Sequence, residues 1–176
     1  MENTELILSG ILNNFLITIL SCIVPVITGI FLTYISKKSN TSSKIIRAIS
    51  MIFESLSPFV LTLAMVYSVF VRADINRTII CILAFSICFL GYLPTRVRLD
   101  YSFVKNIVVN SVGLLSTILK WSFCVSMLGV NELIHNSQKI MAITFDYGVY
   151  LIAFLIAFFA VLVLKIIKFV LEETMK

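Results

Sequence analysis

The sequence predicts an all-α, polytopic membrane protein with five transmembrane helices in a single transmembrane domain, residues 1–176. Three observations lead there. Hydrophobic residues make up 60% of the chain, charged residues only 13%, and the mean hydropathy is +1.06, too apolar for a water-soluble domain. Five apolar runs of bilayer scale succeed one another along the chain. The polar connections between them alternate between basic and mixed charge, the pattern of loops on opposite sides of a membrane.

The first span is predicted at about 7–35. Its firmest part, Phe15 to Ile35, has the roughly 20 residues that a crossing needs. Asn14, Thr18, Ser21, Pro25 and Thr28 recur at steps of four and three, which places them on one helical face. Pro25 removes one backbone donor and is a candidate kink. The acidic start MENTELILSG lacks the basic n-region and cleavage site of a signal peptide, so this run is expected to remain in the mature protein. The second span is predicted at about 49–71 and carries Glu54 and Pro58. Glu54 lies near the polar end, where a charge snorkels to the interface or pairs with a base such as Lys37, Lys38, Lys44 or Arg47.

The third span, about 78–93, is short and ends at Gly91 and Pro94. The fourth, about 107–130, carries Lys120 near the middle of the apolar run Asn110 to Glu132. The stretch from Glu132 to Asp146 reads as a polar connection, and His135 within it as a solvated residue without a second ligand nearby. The fifth span, about 147–170, has Lys165 and Lys168 in its last turns.

The loop charges set the topology. Lys37, Lys38, Lys44 and Arg47 stand together without an acid, Arg96, Arg98 and Lys105 outnumber Asp100, and the C-terminal end has Lys165, Lys168 and Lys176. The positive-inside rule then puts the N-terminus outside and the C-terminus in the cytoplasm.

A lysine deep in a membrane run faces protein, water or a partner charge. Asn110, Gly113, Thr117, Lys120 and Cys124 share one stripe at helical spacing. Such a stripe fits a helix–helix packing face, the commoner use, or a transport path. Lys120, Thr117 and Gly113 are therefore candidate path residues, joined by Asn14, Thr18 and Glu54 from the first two spans.

Other chemistries lack their residues. There is no Walker-type phosphate loop, no GxSxG, no HExxH and no CxxC, so an enzyme is not expected. Cys22, Cys81, Cys88 and Cys124 all lie inside apolar runs and read as small hydrophobes rather than a disulfide frame or metal site. The net charge of +5 belongs to membrane topology, and no basic cluster with interleaved aromatics suggests nucleic acid.

The order of residues in the C-terminal third carries a resemblance. Lys120-Trp121-Ser122-Phe123-Cys124-Val125-Ser126-Met127-Leu128-Gly129-Val130-Asn131-Glu132-Leu133 resembles the lysine, Ser-Leu stretch and Gly-Val-x-Glu-Leu box of the permease subunit of bacterial polar amino-acid ABC importers. Gln138-Lys139-Ile140 and Thr144-Phe145 look like that family's next loop, and Tyr150-Leu151 like the opening of its last helix. Gly10-Ile11-Leu12 with Thr18 and Ser21, Ser57-Pro58 and Gly91-Tyr92 are similar to its N-terminal half. The family's Arg-Gly before Thr-Pro is replaced by Ser55-Leu56. The cytoplasmic loop with Glu-Ala-Ala, which docks the family's ATPase, is reduced here to Arg96–Lys105. The resemblance implies a multi-pass inner-membrane permease half with Lys120, Thr117 and Gly113 at its interface. Its implied partners are a second permease half, as homo- or heterodimer, an ATPase and a solute-binding protein. No cofactor is implied in this chain, and ATP enters only through the partner ATPase. The alternative implied by the shortened loop is an accessory or scaffold subunit with the permease fold but without its own ATPase coupling.

Overall fold

A computed structural model describes residues 2–36, 40–69, 76–97 and 103–174. Lys37 and Lys38, Arg72 and Asp74, Arg98 and Asp100, and Lys176 lie outside the described residues. Eight α-helices occur in order among those described: α1 Glu2–Ser36, α2 Asn40–Ser55, α3 Pro58–Ala64, α4 Arg77–Cys88, α5 Tyr92–Arg96, α6 Phe103–Ser122, α7 Leu133–Thr144 and α8 Tyr147–Thr174. A π turn at Met65–Val69 extends α3, and a 3₁₀ turn at Phe123–Leu128 extends α6.

Four segments are long and apolar enough to cross a bilayer, namely α1, α4 with α5, α6 with its 3₁₀ turn, and α8. A fifth crossing results if α2 and α3 act as one bent span. The uniform second span expected at 49–71 is thus corrected. Helix starts earlier, at Asn40, and the chain bends by 72° between α2 and α3. The cause is local. Proline disfavours helical geometry in the residue before it, and Ser57 is extended at φ −71°, ψ 122° with Pro58 opening the next helix. The expected polar connection at 132–146 is also corrected, since most of it is the helix α7. Pro25 lies inside the single helix α1.

The interior is built around the crossing formed by α4 with α5, 61% buried along its most apolar stretch against 11% for that of α8. Cys81, Phe85 and Cys88 of α4 and Phe89 just after it pack with Ile17 of α1, Leu93 of α5, Leu114 and Ile118 of α6, and Val125 and Leu128 of the 3₁₀ turn. Phe89 sits edge-on between Phe85 and Tyr92, with ring centroids 6.5 Å apart in each pair, the arrangement favoured by aromatic quadrupoles. Polar and small residues pack inside this bundle, while large apolar residues of α1 and α8 such as Phe31, Leu151 and Phe159 point outward. That inversion suits helices in lipid, where close backbone approach rather than water exclusion drives packing. Gly91 is the sharpest case, because a Cβ there would collide with the Ser50 carbonyl of α2.

Candidate functional site

Lys120 occupies the last turn of α6, just before the backbone tightens into the 3₁₀ turn. Gly129 then turns the chain in the left-handed region at φ 71°, a conformation that glycine adopts without steric cost. A groove of about 830 Å³ lies between α3, α6, its 3₁₀ turn, α7 and α8. Lys120 and Lys165 both line it, with Trp121, Tyr150 and Phe154 supplying aromatic faces. Neither ammonium group has a hydrogen-bond or ion-pair partner among the described residues, and no carboxylate lines the groove. Two unpaired cations beside aromatic walls suit an anionic group carried on an apolar body, or the face of another helix that brings a carboxylate. Cys124 also lines the groove and is exposed, whereas Cys22, Cys81 and Cys88 are buried.

The other sequence-derived candidates divide among three places. Gly113 lies two helical turns from Lys120, about 10 Å along α6. A Cβ there would meet the Tyr92 hydroxyl at 2.9 Å and the Lys168 side chain at 3.3 Å. Thr117 lies between them and donates its hydroxyl to the Gly113 carbonyl at 2.9 Å. Asn14 and Thr18 are buried on α1, and Thr18 donates to the Asn14 carbonyl at 2.7 Å. Glu54 lines a pocket with Trp121, the neighbour of Lys120 in sequence. It pairs with Arg96 and accepts from Thr95 Oγ1 at 3.2 Å, while the Arg96 guanidinium lies 4.0 Å from the Tyr92 ring centroid. Neither Lys44 nor Arg47 pairs with Glu54 among the described residues, and Lys37 and Lys38 lie outside them.

Asn14 leads to a residue that sequence reasoning placed only within a motif. Glu132 is fully buried at the start of α7. Its carboxylate accepts the backbone N–H groups of Ile134 at 3.0 Å and His135 at 2.8 Å, and Asn14 Nδ2 at 3.3 Å. It thereby caps α7 and ties it to α1 at the same time. Burial pushes the carboxyl up to about 7, against the opposing pull of those three donors. An acid directly before an apolar helical pattern was the available signal. Two further ties hold the same junction. Asn136 Nδ2 donates to the Leu6 carbonyl at 2.8 Å, and Asn13 Nδ2 to the Asn131 carbonyl at 2.6 Å.

These features define a multi-pass helical membrane protein with a bend between α2 and α3 and an open, cationic groove. Comparison with solved structures gives the particular fold. A chain from the crystal structure of an amino acid ABC transporter with histidines superposes with a TM-score of 0.81 at 18% identity, covering 98% of this chain and 95% of that one. The fold is that of an ABC transporter permease. No family model and no curated relative matches the sequence.

Proposed function

We propose that this chain is one permease half of an amino-acid ABC import complex in the inner membrane. The observation that carries the reading is the permease fold running through nearly the whole chain. The groove supports it, because Lys120 and Lys165 stand unpaired on a face that α8 leaves largely open. A second permease half would cover that face, and the enclosed seam would form the translocation path. Amino acids carry the carboxylate that these ammonium groups would attract. The topology that fits the loop charges puts the N-terminus outside and the C-terminus in the cytoplasm.

ATP hydrolysis would belong to a separate ATPase, and substrate delivery to a solute-binding protein. Helix α5 ends at Arg96 and α6 begins at Phe103. The sequence between them, residues 97–102, carries no Glu-Ala-Ala motif. The second half would therefore supply the main contact with the ATPase, which favours a heteromeric pair over two copies of this chain.

Uptake of a panel of labelled amino acids by cells lacking the chain, with and without its restoration, tests the reading. Restoration is expected to raise uptake of at least one polar amino acid, and Lys120→Leu to lose that gain at equal membrane abundance. Equal uptake with and without the chain across the panel would reject transport in favour of a scaffold subunit.

A further inference from the structure

At the end of the bundle opposite the Glu54–Arg96 pair, α1, the start of α4 and the loop 129–131 enclose a second pocket of about 470 Å³. Its construction is graded. Asn13, Arg77 and Asn131 line the polar end, and Leu16, Leu20 and Ile82 continue the wall along the outer faces of α1 and α4. Leu16 and Leu20 are 46% and 42% exposed, so this wall opens sideways to the surroundings of the bundle rather than into its core. From Asn13 to Leu20 the helix rises about 10 Å. The polar headgroup layer on each side of the hydrocarbon core is roughly 6 Å deep. The pocket therefore spans a headgroup and the first part of an acyl chain.

The guanidinium is held in place rather than merely exposed. Arg77 Nη1 donates to the Leu128 carbonyl at 3.0 Å, and the remaining guanidinium nitrogens have no partner among the described residues. Gly129 makes room for it, because a Cβ at that position would collide with Nη1. Lys139 does not line the pocket but donates from Nζ to Oδ1 of the lining residue Asn131 at 2.7 Å, which brings a second cation near. No described carboxylate lines the pocket, and that of Glu132 is turned inward to Asn14 and the α7 backbone. Basic pockets between membrane helices attract anionic headgroups, and a guanidinium matches two phosphate oxygens at once.

We propose that this pocket binds an anionic phospholipid, with Arg77 on the headgroup phosphate and the Leu16–Leu20–Ile82 wall against the acyl chain. The site requires only that α1 and α4 lie in a bilayer, so it stands or falls apart from the transport reading.

The test uses the full-length protein, with any co-purifying subunits, in nanodiscs containing equal amounts of phosphatidylglycerol and phosphatidylcholine. Lipids retained after transfer to detergent are counted by native mass spectrometry. Wild type is expected to retain phosphatidylglycerol preferentially, and Arg77→Gln to lower that retention roughly fivefold. Arg96→Gln at the other end is expected to leave retention unchanged. Gly129→Ala keeps every charge but displaces the guanidinium, and is expected to act like Arg77→Gln. Inorganic phosphate at millimolar concentration is expected not to displace the lipid. Equal retention by wild type and Arg77→Gln overturns the proposal. Displacement by phosphate, without any preference among lipids, would instead show a free-phosphate site and also overturn it.

Discussion

Glu132 carries three hydrogen bonds and no solvent exposure, so its ionisation is coupled to folding. Its carboxyl titrates near 7 in the folded chain against 4.5 as the ordinary value. Between these values the folded state holds the extra proton, so stability falls as pH rises from about 4.5 to about 7 and is level above that. The span corresponds to a loss of up to about 3 kcal/mol. Asn14 Oδ1, buried without a partner, offers an acceptor to the neutral acid once the amide turns. Thermal unfolding of the purified protein should show the decline across this window, and Glu132→Gln should flatten it. An unchanged slope in the variant would remove Glu132 as its cause. His135 is held below its ordinary value of 6.5 by burial and then by Lys139 and Arg77, so just below that value the unfolded chain binds the extra proton and His135 offsets part of the decline. The Glu54–Arg96 pair is half-open to solvent, with side-chain exposures of 26% and 42%. A double-mutant cycle should give a coupling below about 1 kcal/mol, and a larger value would mean that the pair is shielded by a partner.

At the scale of elements, backbone contact is the tightest constraint. Gly91→Ala drives a methyl group into the α2 backbone at Ser50, whereas Gly113→Ala meets only the ends of the Tyr92 and Lys168 side chains. Gly91→Ala should cost about 1–3 kcal/mol and Gly113→Ala clearly less, read as midpoint shifts in detergent. The reverse order would mean that α2 does not rest on α5 in the membrane.

The same elements mark what could be read from sequence. The α1 stripe of Asn14, Thr18 and Ser21 was legible because buried polar residues stand out against apolar neighbours, and all three are indeed inside. The bend at Pro58 was present as a residue but hidden in a continuous apolar run. Hydropathy averages over a window, while the break depends on one backbone angle. Helix α7 was missed because its mixed face, with His135 and Lys139, masks the buried Leu133, Ile134 and Ile140. Lys120 was legible as an expensive charge, but its companionship with Lys165 comes only from how α8 folds back. Gly113 shares the stripe of Lys120 yet meets different neighbours, because a face that is continuous along α6 crosses two environments about 10 Å apart.

The whole molecule is an unfinished surface. Only Ala153 and Ala157 of α8 are buried, and the groove beside it holds two cations without a partner among the described residues. A bilayer alone covers apolar helices well but leaves those cations costly, so a protein partner that brings a carboxylate completes the structure best. Cys124, exposed in the groove, gives a direct probe. Its labelling by a thiol reagent should drop severalfold in the assembled complex relative to the isolated chain, and equal labelling would place the partner elsewhere. The most direct measurement of the central claim is the composition of the native complex. A tagged copy should be purified in mild detergent and every co-purifying subunit identified by mass spectrometry. The account predicts a second, full-length permease half together with an ATPase. Recovery of this chain with neither, or only with subunits of an unrelated membrane complex, would contradict it.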